Sequence, residues 1–158
     1  MNRQWSKVKA TFEQHIAPEL KGRLQVHVAS YRSGGRGWIV FDKTEIVSVE
    51  APGWTRKLLG HGACVPLVEG DTVELGKACG ELPQIAISDA LASPNPLLRG
   101  LAILDARCGK RTLQRLRTTH LDSFSSTMLA IRDVALGREP LKIVCEQCGE
   151  QLHLSTSG

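Results

Sequence analysis

The apolar residues near the amino terminus recur with the spacing of one helix face. Four of them are separated by intervals of three and four residues: Trp5, Val8, Phe12 and Ile16. Such spacing places their side chains on a single stripe of an amphipathic helix. The pattern therefore predicts a helix over residues 3–17, which ends at Pro18 because proline cannot continue a helix.

An alternating pattern follows this helix. In residues 23–32 every second position is apolar, which is typical of a strand with one buried face. A glycine-rich turn at 33–37 and a tight turn at 42–44 separate two further apolar runs, WIVF at 38–41 and EIVSVE at 45–50. Three short strands joined by tight turns predict an antiparallel meander.

The middle of the chain has a less regular pattern. Residues 51–83 hold six of the 15 glycines, together with three prolines. Within them, the run VPLVEGDTVEL at 65–75 predicts a hairpin that turns at Glu69-Gly70-Asp71. A short helix is predicted over residues 85–91.

Three helices are predicted in the second half. Asn95 is expected to cap the first one, with Pro96 at its first position, and Gly109 is expected to end it. The second helix covers residues 110–117, and the third covers 122–136. The residues expected to face the core from these helices are Leu97, Leu101, Leu104, Leu113, Leu116, Phe124, Met128, Ile131 and Ala135.

The order of the elements predicts an α+β fold. We expect a small antiparallel sheet with an N-terminal helix and a C-terminal group of helices packed on one face. Residues 1–140 are predicted to form a single domain. Residues 141–158 are predicted to form a tail with a short strand and a Cys-x-x-Cys turn.

Composition agrees with an ordinary globular protein. Of the 158 residues, 42% are hydrophobic and only 4% are aromatic, so aliphatic side chains must fill the core. No apolar run approaches the roughly 18 residues of a membrane helix. The polar start MNRQWSKVKATFEQ does not resemble a signal peptide. We therefore expect a cytoplasmic protein whose five cysteines stay reduced, since an odd number argues against a complete disulfide framework.

Positive charge is concentrated in one segment, Leu97–Arg117. It has a net charge of +5, whereas the whole chain has +4. If one helix ran through it, Arg107, Arg111 and Arg115 would share a face and could follow a phosphate backbone. The alternative is a solvated helix face whose cations favour the helix C-terminus. The candidate contacts to nucleic acid or to an acidic protein are Arg99, Arg107, Lys110, Arg111, Arg115 and Arg117.

The same segment does not match a phosphate-binding loop. That loop requires a glycine five residues before its Gly-Lys pair and Ser or Thr directly after the lysine. Leu104 and Arg111 occupy these positions. The chain also contains neither a Gly-x-Ser-x-Gly elbow nor a His-Glu-x-x-His helix. An enzyme is therefore the less favoured hypothesis.

A zinc site is possible in the tail. Cys145 and Cys148 have the Cys-x-x-Cys spacing that lets two thiolates share one ion, and a closed structural site needs four ligands. His61 and Cys64 are another pair at that spacing and would complete the set. The alternative is two unmetallated thiols, and we expect no other cofactor.

Four segments together resemble a known family. They are NRQWSK, LKGRLQVHVASYR, GRGWIVFDKTEI and SPNPLLRGLAILDARCGKRTLQRL. They are similar to a family of small bacterial proteins with a W-S-K start, a G-R-x-W-I strand and an L-D-x-R-x-G-K-R-x-L block. The resemblance covers about residues 1–48 and 88–137. It implies no activity, ligand or catalytic residue.

These observations favour a non-enzymatic cytoplasmic binding protein. Its basic helical surface would contact nucleic acid or an acidic protein, and no membrane association is expected. A zinc-stabilised domain and an unrecognised enzyme are the alternatives.

Overall fold

The computed structural model of the chain describes residues 3–31, 34–50, 67–69, 72–138, 141–144 and 151–154. Within these ranges the helices are α1 (Arg3–His15), α2 (Thr72–Glu81), α3 (Ile87–Leu91), α4 (Pro96–Leu104), α5 (Lys110–Arg117) and α6 (Ser123–Ala135). The strands are β1 (Leu24–Tyr31), β2 (Gly34–Phe41), β3 (Thr44–Glu50), β4 (Leu67–Glu69), β5 (Leu141–Val144) and β6 (Gln151–Leu154). This arrangement confirms the α+β fold class.

Strands β1, β2 and β3 form the predicted antiparallel meander. The turn from β2 to β3 contains Asp42 and Lys43 with φ of 49° and 66°, a left-handed pair that matches the twist of a two-residue hairpin. Strand β4 extends the sheet by pairing parallel to β3. Strands β5 and β6 form a separate antiparallel pair.

One face of the meander packs against α2. Val26, Ile39 and Val47 are paired across the three strands and are all buried. Leu75 of α2 comes so close to this face that a Cβ at Gly37 would lie 2.5 Å from its Cδ2 atom. The sheet therefore requires glycine at position 37 for this helix to approach.

The hairpin predicted at residues 65–75 is wrong. Residues 67–69 pair parallel to β3, and residues 72–81 are helical. Two glycines inside α2 obscured its helical character in the sequence. A Cβ at Gly76 would contact the Trp5 ring at 3.8 Å, and one at Gly80 would contact Val8 Cγ1 at 3.6 Å. These glycines therefore lie on the side of α2 that packs against α1.

The predicted role of Gly109 as a helix stop is also wrong. Helix α4 already ends at Leu104, and Gly109 is the residue before α5. Packing against the end of α1 causes the earlier break, because the Ala17 N–H donates to the Leu104 carbonyl at 2.8 Å. The Ala106 N–H similarly donates to the carbonyl of His15 at 2.9 Å.

The other helix boundaries agree with the sequence. The Asn95 side chain accepts a hydrogen bond from the Leu97 N–H at 3.0 Å, with Pro96 at the first helical position. Helix α6 is followed by Gly137 with φ of +77°. None of the helices among the described residues is both long and apolar enough to span a bilayer.

Candidate anion-binding surface

The six basic residues of the segment 97–117 fall into two groups. Arg99, Arg107 and Arg117 each form an ion pair with an aspartate. The side chains of the other three, Lys110, Arg111 and Arg115, are exposed and make no ion pair or hydrogen bond with the part of the chain that the structure describes. We call these three the basic ridge.

Arg99 joins α4 to the start of α6. Its Nη2 donates to Asp122 Oδ1 at 3.0 Å, and its Nη1 donates to the Ser93 carbonyl at 2.7 Å. Asp122 also caps α6 by accepting from the Ser125 N–H. Burial alone would raise the pKa of Asp122, but hydrogen bonds from Ser125 and Arg99 hold it below the usual range.

Arg107 lies outside both helices and turns toward the body of the protein. Its Nε and Nη2 donate to the two carboxylate oxygens of Asp105, each at 3.0 Å. Nη1 donates to the Ile85 carbonyl at 2.7 Å, and Nη2 donates to the Leu82 carbonyl at 2.9 Å. The hydrogen bonds to Asp105 raise the pKa of Arg107. A row of Arg107, Arg111 and Arg115 on one helix therefore does not form.

Arg117 links α5 to α6. Its Nε donates to Asp133 Oδ1 at 3.0 Å, and Nη2 donates to the same carboxylate, which raises the pKa of Arg117. The opposite side of α5 is apolar: Leu113 is buried and Leu116 is half-buried. These contacts fix the rotation of α5 and direct the basic ridge away from the core.

Arg111 and Arg115 are one helical turn apart. Four residues of α-helix correspond to about 6 Å along the axis, so the two guanidinium groups can act on neighbouring charges of one ligand. Lys110 lies at the start of the same helix, on the side that also carries Gln114 and Arg117. The ridge therefore offers three cations that form no ion pair within the described residues.

A groove runs beside the ridge between α5 and the end of α6. It has a volume of about 620 Å³ and is open to solvent. Its described lining residues are Lys110, Leu113, Gln114, Arg117, Thr118, Leu136 and Arg138. We call it the α5–α6 groove. Lys110 belongs to both the ridge and the groove.

The charge of this groove is positive. Arg117 and Arg138 both contact the same carboxylate, Asp133, and the Arg138 pair is long, with 3.9 Å between Nε and Oδ1. One acid therefore faces three cations, including Lys110. Sequence reasoning did not predict the groove, because Leu136 is the last residue of the predicted helix, Arg138 lies beyond it, and only the packing of α6 brings them beside α5.

The candidate zinc ligands His61, Cys64, Cys145 and Cys148 lie outside the described residues. Among the described residues no group of three metal-ligating side chains comes together. Cys79 and Cys108 are buried free thiols, and burial raises the pKa of both. The thiolate, which is the form that ligates metals, is therefore disfavoured at these two positions.

Comparison with known proteins identifies a family. The model of the SF0329 protein family matches residues 4–61 and 69–132, which is more than half of the chain. The chain belongs to the SF0329 family. No curated protein and no solved structure matches it. The matched regions contain the whole of α5, whereas Arg138, Cys145 and Cys148 lie beyond them.

Proposed function

We propose that this protein is a non-enzymatic binding protein that holds an anionic macromolecule against helix α5. The basic ridge is the observation that carries the proposal. Three exposed cations lie within six residues, and none of them forms an ion pair or a hydrogen bond within the described residues, although the charge of Lys110 contributes to lowering the pKa of Glu19. The remaining arginines of the same segment are neutralised by Asp105, Asp122 and Asp133.

The basic ridge differs from the other arginines of the segment because its cations are not neutralised by ion pairs. The charge of an arginine in a bidentate pair with aspartate is largely neutralised, so it attracts an anionic ligand only weakly. An unpaired exposed cation attracts anions over about one Debye length, roughly 8 Å at physiological salt. Ligands that neutralise these cations release counterions, so affinity falls as salt rises. Few cations are available, and we therefore expect moderate affinity with a modest salt dependence, since the slope scales with the number of charges that the ligand neutralises.

The chemistry of the groove supports binding rather than catalysis. Its described lining consists of cations, two leucines, Gln114 and Thr118. Catalytic acids and bases need a group that titrates near neutral pH, such as a histidine or a perturbed carboxylate. The described lining offers no such group.

Retention on immobilised heparin, a model polyanion, tests this proposal. Arg111→Glu/Arg115→Glu should elute at clearly lower salt than the unmodified protein, because two ridge cations become repulsive. The matched control is Lys7→Glu/Lys77→Glu, which makes the same change in net charge at two exposed lysines on α1 and α2. The control should elute close to the unmodified protein.

Equal displacement of the two double variants would contradict the proposal, because retention would then depend on net charge alone. Circular dichroism of each variant verifies that it remains folded. Both arginines and both lysines are exposed, and such substitutions usually change stability by less than about 0.5 kcal/mol.

A further inference from the structure

We infer that the α5–α6 groove binds a short acidic segment of a partner protein that inserts a bulky apolar side chain. This inference rests on the proposed function, and it names the class of partner and the place where it docks. The groove has a volume of about 620 Å³, which suits one apolar side chain together with the residues that flank it.

The apolar part of the groove is formed by two leucines on opposite sides. Leu113 is buried beneath α5, and Leu136, just after α6, is 38% exposed. Leu136 is the exposed large hydrophobic residue of the described chain. Burying the exposed part of Leu136 against an apolar ligand side chain would be favourable by the usual apolar area term.

The charges around these leucines favour an anionic occupant. Lys110 stands on the α5 wall, and Arg138, which is 55% exposed on its side chain, stands on the α6 wall. Arg117 already shares two hydrogen bonds with Asp133. Lys110 and Arg138 are therefore the cations available to carboxylates that flank the apolar anchor.

Neutral hydrogen-bonding groups favour a peptide over nucleic acid. Gln114 lies on the groove side of α5, where its amide can pair with peptide N–H and C=O groups. Thr118 directly follows α5, and its hydroxyl, which donates to the Arg115 carbonyl at 3.0 Å, can still accept from a peptide N–H. Single-stranded nucleic acid is usually held by stacking on aromatic rings. The described lining of this groove contains no aromatic ring.

Fluorescence anisotropy with defined probes tests the inference. The first probe is a labelled Glu-Glu-Leu-Glu-Glu peptide, the second replaces its leucine with glycine, and the third is a labelled single-stranded oligothymidylate. We expect the unmodified protein to bind the leucine peptide more tightly than the other two. Arg138→Glu should weaken that binding about tenfold, which corresponds to about 1.4 kcal/mol.

Two further variants separate the groove from the ridge. Leu136→Ser should reduce affinity for the leucine peptide severalfold while leaving the glycine peptide unchanged, because only the leucine contacts Leu136. Arg111→Glu makes the same charge change as Arg138→Glu but lies on the outer side of α5. It should change affinity for the leucine peptide less than about twofold. Thermal denaturation confirms that each variant is folded.

The outcomes distinguish this inference from the proposed function. If the peptide does not bind but heparin retention still depends on Arg111 and Arg115, the groove inference is overturned and the proposed function stands. If the oligonucleotide binds more tightly and Arg111→Glu weakens it, the partner is nucleic acid and the inference is again overturned. If no probe binds and retention follows net charge alone, both fail.

Discussion

At the scale of single residues, Asp105 organises the arginines around it. Its carboxylate is 1% exposed and accepts two hydrogen bonds from the Arg107 side chain. Its carbonyl accepts from Arg132 Nη1 at 3.1 Å, and the same guanidinium donates to the Ile103 carbonyl at 2.7 Å and to Glu19. Asp105 and Arg107 therefore have a structural role in this chain.

The Arg107→Ala substitution tests that structural role. It removes the charged partner of a buried carboxylate, which keeps only the backbone N–H of residue 107 as a donor, and it removes the guanidinium donors to the Ile85 and Leu82 carbonyls. We therefore expect a loss of about 2 kcal/mol in the free energy of unfolding. Urea denaturation measures this change. Arg111→Ala is the control, because Arg111 is exposed and makes no ion pair or hydrogen bond with the described part of the chain, and it should change stability by less than about 0.5 kcal/mol. A loss of similar size in both variants would contradict the distinction.

At the scale of elements, helices α4 and α6 pack closely because α4 has a glycine where they cross. A Cβ at Gly100 would overlap the Phe124 ring and would lie 3.2 Å from Met128 Cγ. Both of these residues are buried, so neither can move into solvent. The contact requires the smallest residue on α4.

Gly100→Ala should therefore destabilise the protein by about 1–3 kcal/mol, even though alanine favours helix. Gly76→Ala is the matched control on α2, where a new Cβ would meet Trp5 at an ordinary 3.8 Å. That control should be neutral or stabilising by up to about 1 kcal/mol. Opposite signs in urea denaturation confirm the packing argument, whereas stabilisation by both substitutions would contradict it.

The periodicity of apolar residues predicted the elements that are determined by their local sequence alone. Helix α1, the meander and the caps at Asn95 and Pro96 follow from local spacing and turn chemistry. Helix α2 was not predicted, although its buried residues Leu75, Ala78 and Cys79 have helical spacing, because its two glycines, which serve the contact with α1, have the character of turn residues in the sequence. The early end of α4 likewise depends on pairing with the distant end of α1.

The candidate site was predictable only in part, for the same reason. The sequence located the positive charge on α5, but the aspartates that neutralise Arg99 and Arg117 lie 23 and 16 residues away along the chain. Nothing local shows which arginine will find a carboxylate. The separation into paired arginines and a basic ridge is therefore a property of the fold.

At the scale of the whole molecule, arginine–carboxylate pairs tie distant segments together. Glu19 and Arg132 are separated by 113 residues, and Arg23 binds Asp42 across the end of the meander. Burial alone would raise the pKa of Glu19, but the hydrogen bond from Arg132 holds it below the ordinary 4.5. The hydrogen bond from Arg23 lowers the pKa of Asp42 below the ordinary 3.8.

Because these pKa values are lowered in the folded state, we expect the free energy of unfolding to decrease in acid. In this range the unfolded chain binds more protons than the folded one, so the stabilisation is complete above the ordinary pKa values and disappears as the pH falls through the lower folded values. Asp42→Asn removes one such group and suits the left-handed turn, where φ is 49°. It should cost about 0.5–1 kcal/mol at neutral pH.

That difference should shrink as the pH falls below the ordinary pKa of 3.8 and through the lower folded pKa of Asp42, because protonation of Asp42 then removes the same ion pair from the unmodified protein. Urea denaturation at a series of pH values measures the convergence. Glu81→Gln is the control, because Glu81 is exposed and forms no ion pair within the described residues, and its difference from the unmodified protein should stay nearly constant. A constant difference for Asp42→Asn would show that the pair with Arg23 does not contribute to the acid sensitivity of the fold.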